Sequence, residues 1–322
     1  MAYLRLNDYY QLRIQKAQLD QITQGSDIVR VSSELESLAE MISFLVQKYD
    51  IEDEFKDIKN YSYGQTYNAN DLVELDATLY VATNTYTLNS KTLYNSNVYV
   101  CTTAIVTPEA FNSTRWKLVG KQYDLFNVAS PYTRYSFKTT YVLGDYVIYK
   151  NKIYKCLVTN TNVMPTDANQ GYLYWGSGVN YSVTGVEPYN VVSDFTAWSN
   201  ATIYSIGNKV SYNNVIYYAN SNNLNVAPGN INHWLPITWK NSDNRSIQLV
   251  AFLIDIVLFK IHMRIAPNNI PQLRKDNYTY AKEWLMEAGG QNNAITANIP
   301  LLQPKKGGRI RHGSNVKNIN TY

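Results

Sequence analysis

Val147-Ile-Tyr-Lys-Asn-Lys-Ile-Tyr-Lys-Cys156 decides the fold, because the chain repeats it. It recurs as Thr92-Leu-Tyr-Asn-Ser-Asn-Val-Tyr-Val-Cys101 and as Val210-Ser-Tyr-Asn-Asn-Val-Ile-Tyr-Tyr-Ala219. A weaker fourth copy reads Val73-Glu-Leu-Asp-Ala-Thr-Leu-Tyr-Val-Ala82. Self-similarity is weighed before any single segment, because each repeat is one structural unit. Each copy reads as a strand, a short turn and a second strand. Lys150-Asn151-Lys152 and Asn213-Asn214-Val215 supply the turn residues. Tyrosines at the two ends of the turn, such as Tyr149 and Tyr154, are expected to face each other across the hairpin.

A second shared element lies upstream. Tyr141-x-x-Gly144-Asp145-x-Val147 matches Tyr204-x-x-Gly207-Asn208-x-Val210, and Tyr67-x-x-Asn70-Asp71-x-Val73 is looser. Downstream come a Pro and then a Trp: Pro108 and Trp116, Pro165 and Trp175, Pro228 and Trp234. Three consecutive β modules are expected, at 59–122, 123–180 and 181–241. Asp71 and Asp145 at the repeat entrance read as Asx-turn residues rather than a carboxylate pair for glycoside hydrolysis.

The flanks are helical. A first helix is expected from Leu4 to about Gln24, stopped by Gly25, with Ser26 or Asp27 capping the next. There, Val31, Leu35, Leu38, Ile42, Leu45 and Tyr49 recur at steps of four and three, a stripe facing one core. Helical patterning returns near Ser242 or Asp243, with Leu249 to Ile261 strongly apolar, and Pro267 ends it. Arg274 to Ala288 reads as a further helix closed by Gly289-Gly290. Neither end holds enough helices for a core alone. The expectation is a multidomain α+β chain. One discontinuous α-helical bundle, 1–58 with 242–300, carries the β cassette as an insertion, and 301–322 is a basic extended tail.

Bulk properties narrow the classes. The chain of 322 residues is long enough for several domains. A net charge of +4 is too small to imply nucleic-acid binding by itself. Tyr outnumbers Phe by 29 to 8, which suits half-buried strand positions with a wet hydroxyl. Cys101 and Cys156 share one repeat position and read as separate small apolar residues, not a disulfide. The apolar run 249–261 is shorter than the roughly 20 residues of a membrane span. Met1-Ala-Tyr-Leu-Arg-Leu-Asn-Asp8 does not read as a signal peptide. His233, His262 and His312 have no paired spacing, and no Walker-type loop appears. No enzyme activity, metal or cofactor is expected. Asp255, in an apolar helix, needs a partner such as Arg264, Arg274 or a neighbouring chain.

The Tyr-x-x-Gly-Asp-x-Val-x-Tyr…Pro…Trp layout resembles the small chitin-binding-type carbohydrate-binding modules of glycoside hydrolases. That resemblance implies glycan stacking on aromatic residues, with Trp116, Tyr172, Tyr174, Trp175 and Trp234 as candidates. The alternative reading places each Trp in its module's core.

The flanks resemble the head-to-tail adaptor (head-completion, connector) family of tailed bacteriophages, of the Mu-like joining-protein type. The residues carrying it are Val31-x-x-Glu34-Leu-x-x-Leu-x-x-Met-Ile-x-Phe-Leu-x-x-Lys48-Tyr49-Asp50, Ile270-Pro271 and Tyr278-x-x-Ala281-x-x-x-Leu285. This likeness implies a structural virion protein at the head–tail junction, made in the host bacterial cytoplasm. It implies a twelvefold homo-oligomeric ring that contacts the portal protein and tail or neck ring proteins, with genome DNA passing through the lumen. The cassette would face outward, towards fibre proteins or glycans. Lys305, Lys306, Arg309, Arg311 and His312 form the expected portal-docking tail; a solvated tail and a contact with DNA phosphates stand beside that reading. The rival class is a carbohydrate-binding protein of a tail fibre or a secreted adhesin.

Overall fold

The computed structural model describes residues 3–52, 54–290 and 295–302. It is a mixed α+β structure, with helices at the two ends and short strands in several small sheets between them. The N-terminal helices are α1 (Leu6–Leu12), α2 (Lys16–Thr23) and α3 (Asp27–Leu45). A four-residue helix, α4 (Gly171–Tyr174), lies within the cassette. The C-terminal helices are α5 (Ile247–Ile265) and α6 (Gln272–Gly289).

The two ends share one interior. Tyr9, Leu19, Leu38, Met41 and Leu45 pack in the same apolar cluster as Leu253, Val257, Ile261, Ala281 and Leu285. Between Leu249 and Leu258, α5 is buried on nearly every side, as befits a central helix with an apolar surface all round. At the end of α6 a β-carbon on Gly289 would lie 2.1 Å from the Phe44 carbonyl oxygen, so only glycine fits. The last described residues return to this helical bundle, the base that carries the cassette: Asp50 N–H donates to Pro300 O, Leu302 N–H donates to Lys48 O, and Tyr49 pairs antiparallel with Leu301.

Several helical details differ from the sequence reading. The first helix is two helices broken at Arg13, which caps α1 while its guanidinium holds Asp255 bidentately at 2.8 and 2.9 Å. Arg13 is therefore the partner of Asp255, joined by Asn277; Arg264 pairs with Glu36 instead. Ser246, not Ser242 or Asp243, is the N-cap of α5, because Asp243 is taken by Arg245. Val31 and Leu35 are exposed: the stripe on α3 turns inward only from Leu38.

The cassette is not three modules in a row. Strands Ile58–Asn60, Leu72–Glu74, Leu125–Val128 and Trp239–Asn241 form one sheet, which draws strands from all three expected modules and so crosses both boundaries between them. It belongs to a fourth, discontinuous copy of the repeat that hosts the other three. Four signatures establish the equivalence. A repeat tyrosine hydroxyl accepts the backbone N–H five residues upstream at Tyr67, Tyr86, Tyr141 and Tyr204, at 2.7–2.8 Å. The entrance turn exchanges two backbone hydrogen bonds with Val128, Cys101, Cys156 and Ala219 respectively. These four residues pair with Trp239, Trp116, Trp175 and Trp234. The indoles of Trp239, Trp175 and Trp234 donate to the carbonyls of Val186, Val163 and Val226.

The host copy is thus opened at three loops. The first inserted module sits at the tip of its hairpin, between Glu74 and Leu125; the second lies between Val128 and Tyr181, and the third between Val186 and Trp239. This corrects the weak fourth copy, Val73 to Ala82. Its first strand is the host's, but Thr78–Leu79 already belongs to the first inserted module, where it pairs parallel with Thr92 and Leu93. Within each inserted hairpin the turn residues Asn95-Ser96, Lys150-Asn151 and Asn213-Asn214 all have positive φ, the type I′ geometry whose twist matches paired strands. Tyr149 lies opposite Lys152 and Tyr154 opposite Val147, so the two tyrosines are diagonal, not facing.

Nesting has a testable consequence. The first inserted module keeps its own core of Cys101, Ile105 and Trp116, separate from the host core. The second and third lend Ile148, Ile153, Ile216 and Ile237 to the host core. Replacing residues 76–123 by Asn-Gly should therefore close the host hairpin with a two-residue turn and leave a folded protein. Its melting temperature should stay within about 5 °C of the parent. Loss of the cooperative transition would show that the first module is not a separable insertion.

Candidate functional site

The aromatic residues expected to meet glycans are mostly enclosed. Trp116, Trp175 and Trp234 are 5 %, 2 % and 0 % exposed, each packed edge-on against its module's repeat tyrosine. A ring in this setting presents no face to a sugar. Their burial follows from module size, since a unit this small needs a large apolar anchor. Tyr174 is half-buried against the second module's core. Tyr172, on α4, is the one of the five that projects into solvent, at 70 % exposure. The turn before it is fixed by Gly171, where a β-carbon would meet Pro165 O at 2.7 Å.

The entrance turns are structural. Asp71, Asp145 and Asn208 accept the N–H of Asn68, Val142 and Ser205 through their side chains, at 2.8–3.0 Å. These are turn residues, but each closes a β-turn from its far end, three residues on, rather than forming the expected Asx turn, whose side chain accepts an N–H two residues downstream. What differs among copies is the residue two places after the repeat tyrosine. In the host it is Ala69, which is buried; in the inserted modules Leu88, Leu143 and Ile206 stand mostly in solvent. The host turn is covered by the base, with Lys56 Nζ donating to Ala69 O at 2.7 Å. The same end of each inserted module is open and aliphatic. Cys101 and Cys156 are buried free thiols, and burial pushes the Cys156 thiol up.

A buried ionic joint ties the segment entering α5 to α1, where the chain returns from the cassette to the helical base. Arg245, in the cassette's exit, donates to both carboxylate oxygens of Asp8 at 2.9 and 3.1 Å, to Asp243, and to Tyr3 O at 2.6 Å. Its guanidinium also lies 5.5 Å from the Tyr3 ring centroid. Burial alone would raise the Asp8 carboxyl, but the hydrogen bonds and charge of Arg245 outweigh it and hold Asp8 below the usual carboxylate range. Glu54 accepts from Tyr3 Oη and Ser246 N–H, and burial pushes it up. Around this centre Arg134 pairs with Asp50, and Lys56 and Lys59 reach Asp71. Asn127 donates to Ser242 O. Sequence reasoning missed the joint. Its only signal was Asp243-x-Arg245 at the boundary; the partner Asp8 is remote in the chain.

The expected portal-docking residues Lys305, Lys306, Arg309, Arg311 and His312 lie outside the described residues. Among the described residues no helix is long and apolar enough to cross a membrane. No protein-family model matches the chain, and no curated protein matches it.

Proposed function

We propose that this chain is a structural virion protein, a subunit of an adaptor ring between the portal and the tail of a tailed bacteriophage. The observation that carries the reading is the single interior shared by α3 with α5 and α6, the helices that hold the residues of the family resemblance. In this reading the base makes the ring by head-to-tail contacts between identical chains. DNA passes through the lumen, the basic tail reaches the portal, and the cassette projects outward. The pair Arg134–Asp50 and the bond from Lys56 to Ala69 O then serve to fix the cassette's attitude on the ring.

The open aliphatic turns of the inserted modules favour contact of the cassette with other virion proteins. A carbohydrate-binding fibre protein is the lesser reading, because the module tryptophans offer no stacking face. The deciding experiment mixes the purified chain with portal rings and images the mixture by negative stain. An added ring layer on one face of the portal is expected. Particles indistinguishable from portal alone, together with binding to chitin oligosaccharides, would overturn the adaptor reading in favour of the carbohydrate-binding one.

A further inference from the structure

The cassette meets the helical base over one face of the host sheet, and that face is not uniform. Leu72 stands opposite Asn127, and Glu74 opposite Leu125. All four share a face, because residues two apart on a strand point the same way. Val73 and Phe126, on the other face, belong to the host core. Leu72 and Leu125 therefore lie on one diagonal of a square, where with Ile58 they form a small apolar cluster of their own. Asn127 and Glu74 occupy the other two corners.

A cleft opens at each polar corner. At Asn127 its volume is about 430 Å³, with Glu54 and Asn298 of the base across from Ser130 and Lys240 of the cassette. At Glu74 it is about 350 Å³, with Asn7 and Glu34 of the base across from Tyr123. An arginine bridges each. Arg134, which lines the first cleft from the second module, reaches Asp50 of the base at 2.7 Å. Arg5 of the base donates to Tyr123 O at 2.7 Å across the second. The bonds from Lys56 to Ala69 O and from Asn127 to Ser242 O involve the two connecting segments, which bend with the cassette. So short an apolar contact between two polar clefts does not lock one body to another, since only a large apolar interface does that.

We propose that the cassette is a rocker. It tilts on the base about the Leu72–Leu125 diagonal and closes one cleft as it opens the other, while the Arg134–Asp50 and Arg5–Tyr123 bridges hold the level position. The device lets the cassette follow whatever it meets while the helical base stays fixed. The inference does not rest on the ring reading, because its test is made on the isolated chain.

The test is a distance distribution between two spin labels. Cys101→Ala and Cys156→Ala first remove the native thiols, a change the third module already carries as Ala219. Labels are placed at Thr279→Cys, exposed on α6, and at Lys138→Cys, exposed in the second module. The parent is expected to give one narrow distribution. Arg134→Ala and Asp50→Asn, made separately, should each widen it about twofold. The two bridge side chains are 29 % and 26 % exposed, so strong salt should widen the parent and leave Arg134→Ala unchanged. Equal widths in the parent and both variants would overturn the proposal. So would a wide parent distribution that neither substitution nor salt alters, since the bridges would then hold nothing. A second label pair lies within the base, at Thr279→Cys and Ile28→Cys, and should keep its width in Arg134→Ala. Widening there would also overturn the proposal, because the base and not the joint would be what moves.

Discussion

Replacing Arg245 by Met will cost about 3–5 kcal/mol of stability at neutral pH, the expected penalty for removing one partner of an enclosed ion pair. The side chains of Arg245 and Asp8 are only 2 % and 5 % exposed, so water cannot take over when the guanidinium leaves. Asp8 would be left with Arg5 as its one counter-charge, at 3.2 Å, and Tyr3 O would lose its donor. The double variant R245M/D8N should recover part of the loss, because it removes a buried carboxylate left with Arg5 alone. The pH dependence is a second readout. Asp8 titrates below its unfolded value of about 3.9, so its contribution is present above about pH 4 and is lost as pH falls through the lowered value. Glu54 is raised, so the fold gains from its protonation as pH falls through that raised value. The parent should therefore hold its stability in mild acid and lose it below about pH 4. In Arg245→Met the Asp8 carboxyl loses the stronger of its two counter-charges and keeps Arg5, so burial weighs more and its value rises from the parent's. The variant should then gain on the parent as the buffer is acidified. Urea unfolding at neutral pH and near pH 4 reads both effects. A variant as stable as the parent at neutral pH would mean that Arg245 does not tie the entry of α5 to α1.

The division of the chain into helical ends and a β middle was legible because each obeys a local rule. The buried half of α3 and nearly all of α5 carry period-3.6 patterning, and the hairpins carry paired turn residues. The order of the repeats was not legible, because a host interrupted three times has no continuous copy to align. Its fragments stood in plain view: Tyr67-x-x-Asn70-Asp71-x-Val73, then Val186-x-Pro188, then Trp239. Each matched part of the motif, but they are separated by whole modules, and consecutive reading assigned them to neighbours. The same limit hid Arg13 as the partner of Asp255 and Asp8 as the partner of Arg245, pairs that meet only because the two ends fold together. Exposure at Val31 and Leu35 was missed for another reason. A stripe shows which residues want cover, not whether the cover belongs to the same fold. As for the aromatic candidates, composition cannot separate an anchor from a platform, and in a small module the anchor comes first.

Trp239→Ala should be the most damaging change in the cassette, and comparing it with Trp116→Ala tests the nesting directly. Trp239 closes the host copy: it pairs with Val128, donates to Val186 O at 3.0 Å, and packs edge-on against Tyr61 and Tyr67. Its strand is also the cassette's exit towards α5, and the third inserted module hangs between Val186 and Trp239. Trp116 fills the equivalent place in the first inserted module, with an indole N–H that has no hydrogen-bond partner. Truncating a packed Trp costs about 3–5 kcal/mol in either place, so the difference lies in where the loss is felt. Trp239→Ala should lower protection from hydrogen exchange across the host strands and the second and third modules together, since these share one apolar cluster. Trp116→Ala should lower it only within about 78–121, leaving the global melting transition nearly unmoved. The opposite result is equally plain to read. If Trp116→Ala lowers protection throughout the cassette while Trp239→Ala acts only on its own strand, the host and guest roles are reversed, and the chain is not built as modules set into the loops of one of their own kind.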